Sequence, residues 1–78
     1  MGTKAFTAPQ IRMLHELGEE HPVGPDEYWY FPYRQHRTGD ILVEKGLIER
    51  DPTTQYGVKV GYRLTEKGRE LLKKWNEE

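Results

Sequence analysis

Cysteine and serine are both absent from the 78-residue sequence. Without cysteine the chain has no disulfide framework and no thiolate zinc site, and without either residue it has no serine or cysteine nucleophile. No apolar run approaches the roughly 18 residues of a transmembrane helix, and we expect no signal peptide at the start of the chain. These absences predict a cytoplasmic protein that does not associate with membranes.

An excess of positive charge is missing as well. The chain has 12 basic and 13 acidic residues, which gives a formal net charge of −1. A protein that coats nucleic acid by bulk charge alone is therefore excluded. The length corresponds to one domain, and the near-balanced charges together with 35% hydrophobic residues are typical of a soluble globular domain.

Metal, nucleotide and catalytic motifs are missing too. The three histidines, His15, His21 and His36, form no H-x-x-x-H pair, so they match no compact zinc site. The chain contains neither G-x-G-x-x-G nor G-x-x-x-x-G-K-[ST], the glycine-rich loops that hold nucleotide phosphates. We therefore expect a protein that is not an enzyme and that needs no metal or cofactor.

A first helix is indicated over about 7–18. Thr7 and Gln10 have the T-x-x-Q spacing of a capping box, and Gly18 is expected to end the helix. Between them, apolar residues recur with a helical period, at Ile11, Leu14 and Leu17. The sequence thus predicts an amphipathic helix at the start of the domain.

The segment 28–33 contains five of the nine aromatic residues of the chain. Pro32 disfavours helix at Phe31, so the segment is predicted to be a single turn or a short strand. The favoured interpretation places most of these rings in the core, because each ring buries a large area. The alternative leaves some exposed, as a protein-binding hot spot or as a platform on which single-stranded bases stack. The rings assigned to the core are Tyr28, Trp29, Phe31 and Tyr33.

A second helix is indicated over 34–45. Leu42 is expected to face the core, and Gly46 is expected to end the helix in the left-handed conformation. Gly39 lies one turn before Leu42 and would allow a neighbouring element to approach closely. This helix is the candidate for any recognition role.

A hairpin and a third helix complete the predicted elements. The hairpin covers 47–64, with a loop rich in turn-forming residues over 51–57. In its second strand, one face is expected to be apolar and the other polar: Val58, Val60, Tyr62 and Leu64 alternate with Lys59, Gly61 and Arg63. The last helix is predicted over 66–76, with Thr65 as its cap and Trp75 packed against the first helix.

Two linked motifs resemble a winged helix-turn-helix domain. They are D-I-L-V-E-K-G-L-I-E-R at 40–50 and Y-R-L-T-E-K-G-R-E-L-L at 62–72. They are similar to MarR-type and PadR-type transcriptional regulators, in which L-x-x-K-G-L-I-x-R closes the recognition helix and Y-x-L-T-x-x-G-x-x-L follows the wing. The resemblance covers about residues 34–75. It implies an α+β fold, a single winged-helix domain over 1–78, and a regulator that binds duplex DNA.

The resemblance also bears on the oligomeric state. Regulators of these families have a distinct helix before the recognition helix, and they dimerise through long terminal helices. Here the aromatic segment 28–33 occupies the place of that helix, and the predicted C-terminal helix is short. We therefore expect a monomer or a weak homodimer.

Charge is concentrated where DNA binding would need it. Residues 34–65 contain six basic and four acidic side chains, whereas 1–33 contain two basic and five acidic ones. Contacts from Lys and Arg to phosphate dominate DNA affinity, and the start of a recognition helix enters the major groove. Arg37 is suited to reading guanine and Gln35 to reading adenine. The candidate DNA-binding residues lie on helix 34–45 and on the wing 51–63: Arg34, Gln35, His36, Arg37, Thr38, Thr53, Thr54, Gln55, Lys59 and Arg63.

A second interpretation remains open. If Leu42 faces inward, Arg37, Asp40 and Glu44 share the outer face of the helix, and two carboxylates there would repel phosphate. The same scaffold would then serve as a protein-interaction module, of the kind found in small phage or mobile-element accessory or inhibitor proteins. Its surface would be the acidic region 16–27 and the aromatic region 28–33. The candidate residues of that surface are Glu19, Glu20, Asp26, Glu27, Tyr28, Trp29 and Tyr30.

Overall fold

Helices and strands follow one another in the order expected for a winged helix. The computed structural model describes residues 5–24, 27–53 and 58–77. Within these ranges the elements are α1 (Ala8–His15, continued by a π-helical turn over Glu16–Glu20), β1 (Trp29–Pro32), a 3₁₀ turn (Tyr33–Gln35), α2 (His36–Glu44), β2 (Ile48–Arg50), β3 (Lys59–Leu64) and α3 (Glu66–Glu77). The strands form an antiparallel sheet in the order β1-β3-β2. The fold is therefore a small α+β winged helix. None of the helices in the described ranges is long and apolar enough to span a membrane.

The start of α1 confirms the predicted capping box. The Thr7 hydroxyl accepts a hydrogen bond from the Gln10 backbone N–H, and the Gln10 side chain accepts one from the Thr7 N–H. The predicted end at Gly18 is wrong, because the helical path continues to Glu20 in a π-helical turn. Gly18 instead allows close packing, since a Cβ at that position would overlap the Leu72 side chain on α3.

The end of α2 confirms the predicted glycine cap. Gly46 has a φ of 77°, which favours glycine because it has no Cβ. Its N–H donates to the Val43 carbonyl, and the next N–H, that of Leu47, donates to the Leu42 carbonyl. This pair of hydrogen bonds is a Schellman motif, which turns the chain from α2 into β2.

The core lies between the inner face of the sheet and the three helices. Alternation along β3 buries Val60, Tyr62 and Leu64, as predicted, over Leu14, Leu17 and Leu42. The prediction that Val58 belongs to the same face is wrong: β3 begins at Lys59, and Val58 is 79% exposed. Burying these aliphatic side chains supplies the main stabilising free energy, about 1.5–3 kcal/mol for each.

The aromatic segment combines a strand with a turn, and most of its rings are not in the core. Phe31 is buried, and Tyr33 is half-buried against the core. Trp29 and Tyr30 remain 38% and 44% exposed, and Tyr28 is half-buried. The expectation of a mainly buried segment is therefore wrong. Alternation along β1 directs Tyr30 away from the buried Phe31, and Trp29, the first residue of the strand, stacks on His21 and stays partly exposed.

The last helix closes the domain against α1. Thr65 caps α3 by accepting a hydrogen bond from the Gly68 N–H at 3.1 Å, as predicted. Trp75 packs edge-on against Phe6, with ring centroids 5.4 Å apart, and lies 6.1 Å from the His15 ring. The predicted contact between Trp75 and the first helix is thus present.

Candidate nucleic-acid interface

The outer side of α2 combines exposed residues with one carboxylate that is engaged by neighbours within the domain. Arg37, Ile41 and Glu44 are exposed, at helical spacings of four and three residues. Asp40 lies beside these residues with its side chain 45% exposed, and its Oδ1 accepts a hydrogen bond from the Tyr62 hydroxyl at 3.1 Å and lies 3.6 Å from an Arg50 guanidinium nitrogen. Arg50 therefore offsets part of the Asp40 charge, which weakens the repulsion of phosphate by this side of the helix.

Buried contacts hold Asp40 in that position. Tyr62 is fully buried, and its hydroxyl also donates to the backbone carbonyl of His36 at 3.2 Å. Burial, with the negative charge of Asp40 as a second cause, raises the pKa of Tyr62 far above its ordinary value. The phenol therefore stays protonated and remains a hydrogen-bond donor to Asp40 at any physiological pH.

The residues before and at the start of α2 differ in exposure. Arg34 and Arg37 are exposed, whereas Gln35 and Thr38 are half-buried along a groove of about 440 Å³ between α1 and α2. The His36 ring stacks on Tyr33 with centroids 4.4 Å apart, and its Nδ1 lies 3.0 Å from the Tyr33 carbonyl oxygen. Because a carbonyl only accepts hydrogen bonds, Nδ1 carries the proton. One of the two ring nitrogens of His36 is therefore used in a hydrogen bond within this turn.

A backbone hydrogen bond joins this turn to the wing. The Tyr33 N–H donates to the Val58 carbonyl at 3.0 Å. The next pair, Pro32 and Lys59, lie opposite each other in the sheet, and Lys59 is exposed. The start of α2 and the returning side of the wing therefore lie at the same end of the domain.

The remaining wing candidates have different surroundings. Thr53 is exposed but donates both its backbone N–H and its hydroxyl to Asp51, at 2.9 and 2.7 Å. Arg63 is half-buried, donates to Glu49 at 2.9 Å and lies 4.6 Å above the Tyr28 ring. Arg63 is therefore already engaged within the sheet. Thr54 and Gln55 lie outside the described residues.

Asp51 is a residue whose role the sequence did not reveal. It is only 6% exposed, and it accepts a hydrogen bond from the Tyr30 hydroxyl in addition to those from Thr53. That bond is the main cause that raises the pKa of Tyr30 above its ordinary value. The sequence signal, Asp-Pro-Thr-Thr, indicated a turn at this place but not the distant tyrosine.

Ile41 is the second residue that sequence reasoning missed. It is 42% exposed in the middle of the outer face of α2, one turn after Arg37. Its spacing from Arg37 could have identified it, because residues i and i+4 share a helix face. An apolar side chain on a recognition helix can contact the thymine methyl group.

The alternative partner surface is present only in part. Glu19 accepts hydrogen bonds from Asn76 at 2.9 Å and lies 3.1 Å from His15 Nδ1; these bonds, that of Asn76 first, lower the pKa of Glu19. Trp29 stacks on His21 with centroids 3.8 Å apart. Glu20, Glu27 and Tyr30 are exposed, and Asp26 lies outside the described residues. Acidic and aromatic side chains are thus both accessible in this region.

A second cleft lies on another side of the domain. It has a volume of about 580 Å³ and lies between the π-helical turn, the end of β3 and α3, with Leu17, Leu64 and Leu72 among its lining residues. In the part of the chain that the structure describes, no three His, Asp or Glu side chains lie close enough together to hold a metal ion.

Comparison with known proteins gives one match, to a protein family. The profile of the HxlR family, described as HxlR-like helix-turn-helix, matches residues 37–77. No curated protein and no solved structure matches the chain. The matched residues begin in α2 and run through the wing to α3, where the motifs resembling MarR-type and PadR-type regulators lie. Those families are related but different, and the naming that the motifs suggested is corrected accordingly. Since the match covers more than half of the chain and the fold agrees with it, the protein belongs to the HxlR-like helix-turn-helix family, a family of winged helix-turn-helix transcription regulators.

Proposed function

We propose that this protein is a transcription regulator that binds duplex DNA through α2, the turn before it and the wing. Family membership supports DNA binding as the general function. The observation that carries the assignment to this surface is the hydrogen bond from the Tyr33 N–H to the Val58 carbonyl. It brings the two DNA-contacting parts of a winged helix to one end of the domain.

The charges at this end favour phosphate. Arg34, Arg37 and Lys59 are exposed, whereas three of the carboxylates in the same half of the chain are held by neighbours within the domain. Those carboxylates are Asp40 with Tyr62 and Arg50, Glu49 with Arg63, and Asp51 with Tyr30 and Thr53. The same pairs engage Arg50 and Arg63, and Glu44 remains exposed, so the positive charge offered to phosphate at this end comes from Arg34, Arg37 and Lys59.

The three exposed cations at this end of the domain differ in the DNA groups that they can contact. The positive end of the helix dipole attracts phosphate to the start of α2, close to Arg34. Arg37 is placed to donate two hydrogen bonds to the O6 and N7 atoms of a guanine. Lys59 supplies a point charge to the backbone beside the helix. Base reading is assigned to α2, and the wing is assigned to the phosphate backbone.

Fluorescence anisotropy of labelled random-sequence duplex DNA tests this proposal. The variant Arg37→Ala/Lys59→Ala is expected to lose at least about eightfold in affinity at ~0.1 M salt, because the phosphate contact of Lys59 alone contributes a salt slope of about 0.9. Loss of Arg37 removes a second positive charge from the same surface. The matched control is Lys73→Ala/Lys74→Ala, which removes two exposed cations from α3 and so changes the net charge equally. Equal losses in the two double variants would contradict the assigned surface.

A protein-interaction module is the second candidate function. The observation that favours it is the exposure of Trp29 and Tyr30, at 38% and 44%, in a part of the chain where Glu20 and Glu27 are exposed as well. Large exposed aromatic side chains are enriched among the hot spots of protein interfaces. Absence of salt-sensitive DNA binding by the unmodified protein would favour this function over the first.

A further inference from the structure

The base of the wing is tied to the opposite edge of the sheet by one tyrosine. Tyr30 on β1 lies opposite Gly61 on β3, and its ring passes over that glycine. A Cβ at position 61 would lie 2.6 Å from Tyr30 Cε2, so the crossing requires glycine there. The Tyr30 hydroxyl then donates to Oδ2 of Asp51, the residue that follows β2. Tyr30 thus spans all three strands on the outer face of the sheet.

Asp51 links the Tyr30 hydroxyl to the first residues of the wing. Its other carboxylate oxygen accepts two hydrogen bonds from Thr53, and its own N–H donates to the Gly61 carbonyl at 2.9 Å. A carboxylate that is only 6% exposed is costly to bury unless donors surround it. The first residues of the wing are therefore held by the same network that Tyr30 joins.

The returning side of the wing, which begins β3 at Lys59, is also positioned against β1. Lys59 lies opposite Pro32, two residues from the Tyr30–Gly61 pair, and so faces the same side of the sheet. The two sides of the wing, at Asp51 and at Lys59, are both positioned against β1. The Tyr30 hydroxyl makes the side-chain link between β1 and the first of these sides.

We propose that Tyr30 is a positioning residue for DNA binding: it reaches across Gly61 to the buried carboxylate of Asp51, whose N–H donates to the Gly61 carbonyl on the strand of Lys59, and so holds the two sides of the wing together where Lys59 contacts the phosphate backbone. The inference rests on the proposed function and adds to it a residue that touches no DNA. A purely structural role for the same contact would change the stability of the domain and leave the geometry of DNA binding unaltered. The two roles differ in which DNA contacts are lost.

The salt dependence of DNA binding distinguishes them. Tyr30→Phe keeps the ring over Gly61 and removes the hydroxyl that Asp51 accepts. If the wing then loses one phosphate contact, affinity for a labelled random-sequence duplex falls about eightfold at ~0.1 M salt, and the salt slope falls by about 0.9. Tyr28→Phe is the matched control, because it removes a tyrosine hydroxyl close by and keeps the ring on which Arg63 lies.

Combined variants locate the lost contact. Lys59→Ala added to Tyr30→Phe is expected to cause little further loss, because the lysine contact is already missing. Arg37→Ala is expected to cause its full loss in either background, because α2 is not attached to the network. Thr53→Val removes a second donor to Asp51 at an exposed position and is expected to act in the same direction as Tyr30→Phe. Circular dichroism melts establish that each variant is folded at the temperature of the binding assay.

Each outcome decides the proposal. A smaller salt slope for Tyr30→Phe, with loss of the Lys59 effect and retention of the Arg37 effect, supports it. Unchanged DNA affinity of Tyr30→Phe overturns it. A loss of affinity that leaves the salt slope unchanged, and that adds fully to the loss caused by Lys59→Ala, also overturns it. Were Tyr30→Phe unfolded, Thr53→Val would decide in its place by the same criteria. Failure of the unmodified protein to bind DNA would refute the proposed function itself, a result distinct from failure of Tyr30→Phe alone.

Discussion

Replacing Gly39 by alanine tests the packing that sets the orientation of α2. A Cβ at position 39 would overlap the Tyr62 ring, including its Cζ and hydroxyl oxygen. Tyr62 has no room to withdraw, because it is fully buried and its hydroxyl is bonded to both His36 and Asp40. The substitution must therefore displace either α2 or the tyrosine.

The expected cost combines three effects. Overpacking of a core costs about 1–3 kcal/mol, and loss of the hydrogen bond that the single Tyr62 hydroxyl proton shares between His36 and Asp40 costs about 1 kcal/mol. Alanine recovers about 1 kcal/mol because it favours helix more than glycine does. The net expectation for Gly39→Ala is a loss of about 1–3 kcal/mol in the free energy of unfolding. At 4–8 °C per kcal/mol for a domain of this size, the melting temperature falls by roughly 5–25 °C.

Thermal and urea unfolding followed by circular dichroism measure this loss. Arg37→Ala is the control, because Arg37 is exposed on the same helix and its replacement should change stability by less than about 0.5 kcal/mol. A Gly39→Ala variant as stable as the parent would refute the close contact between α2 and Tyr62. The position of the exposed face of α2 would then need to be reconsidered.

Three further predictions concern the cap, the buried phenol and the tryptophans. Thr7→Ala should lower the free energy of unfolding by about 1 kcal/mol in urea melts, whereas Thr7→Asn should retain the cap; an unchanged midpoint for alanine would contradict the capping role. Because burial raises the pKa of Tyr62, its contribution to stability is complete below about pH 10 and decreases as the pH rises towards that pKa. Ultraviolet titration should show it ionising only with unfolding, a step that Tyr62→Phe lacks; ionisation of all tyrosines near pH 10 in the folded state would contradict this. Acrylamide should quench Trp29 in Trp75→Phe more readily than it quenches Trp75 in Trp29→Phe, since Trp29 is 38% exposed; equal quenching would contradict the exposure of β1.

The parts of the fold that local sequence determines were predictable. The capping box of Thr7 with Gln10, the Thr65 cap and the left-handed Gly46 each depend on residues within a few positions. Alternation along β3 correctly identified the buried Val60 and Tyr62. Each of these signals is specified by neighbours in the chain, so no knowledge of the tertiary structure is needed to interpret it.

The parts that depend on distant partners were not predictable. Gly18 resembled a helix terminator, but its absence of a side chain serves the packing of Leu72, which lies more than fifty residues further along. Asp40 was assigned to the outer face by helical period, and that period did not indicate its contacts with Tyr62 and Arg50. Helical and strand periods predict the direction in which a side chain leaves the backbone. The position of its polar end depends on residues that are distant in sequence and close in the fold.

In the candidate site, too, features set by nearby residues were predictable, and features set by distant residues were not. The exposed Arg34 and Arg37 follow from their positions at the start of the predicted helix. The engagement of Arg63 by Glu49 and Tyr28 depends on which residues lie opposite or beside β3, and so it required the register of the sheet. Charge counting by segment identified the half of the chain with more basic residues but could not separate its exposed cations from those already paired.

The central claim is that the protein binds duplex DNA through α2 and the wing, and amide chemical-shift mapping tests it most directly. Adding unlabelled duplex DNA to the isotope-labelled protein at about 50 mM salt should shift resonances from 34–45 and 51–59, and raising the salt to about 200 mM should reverse those shifts. Resonances from 66–77, on α3, serve as the internal reference. Shifts confined to 16–30, or no shifts at either salt concentration, would contradict the claim.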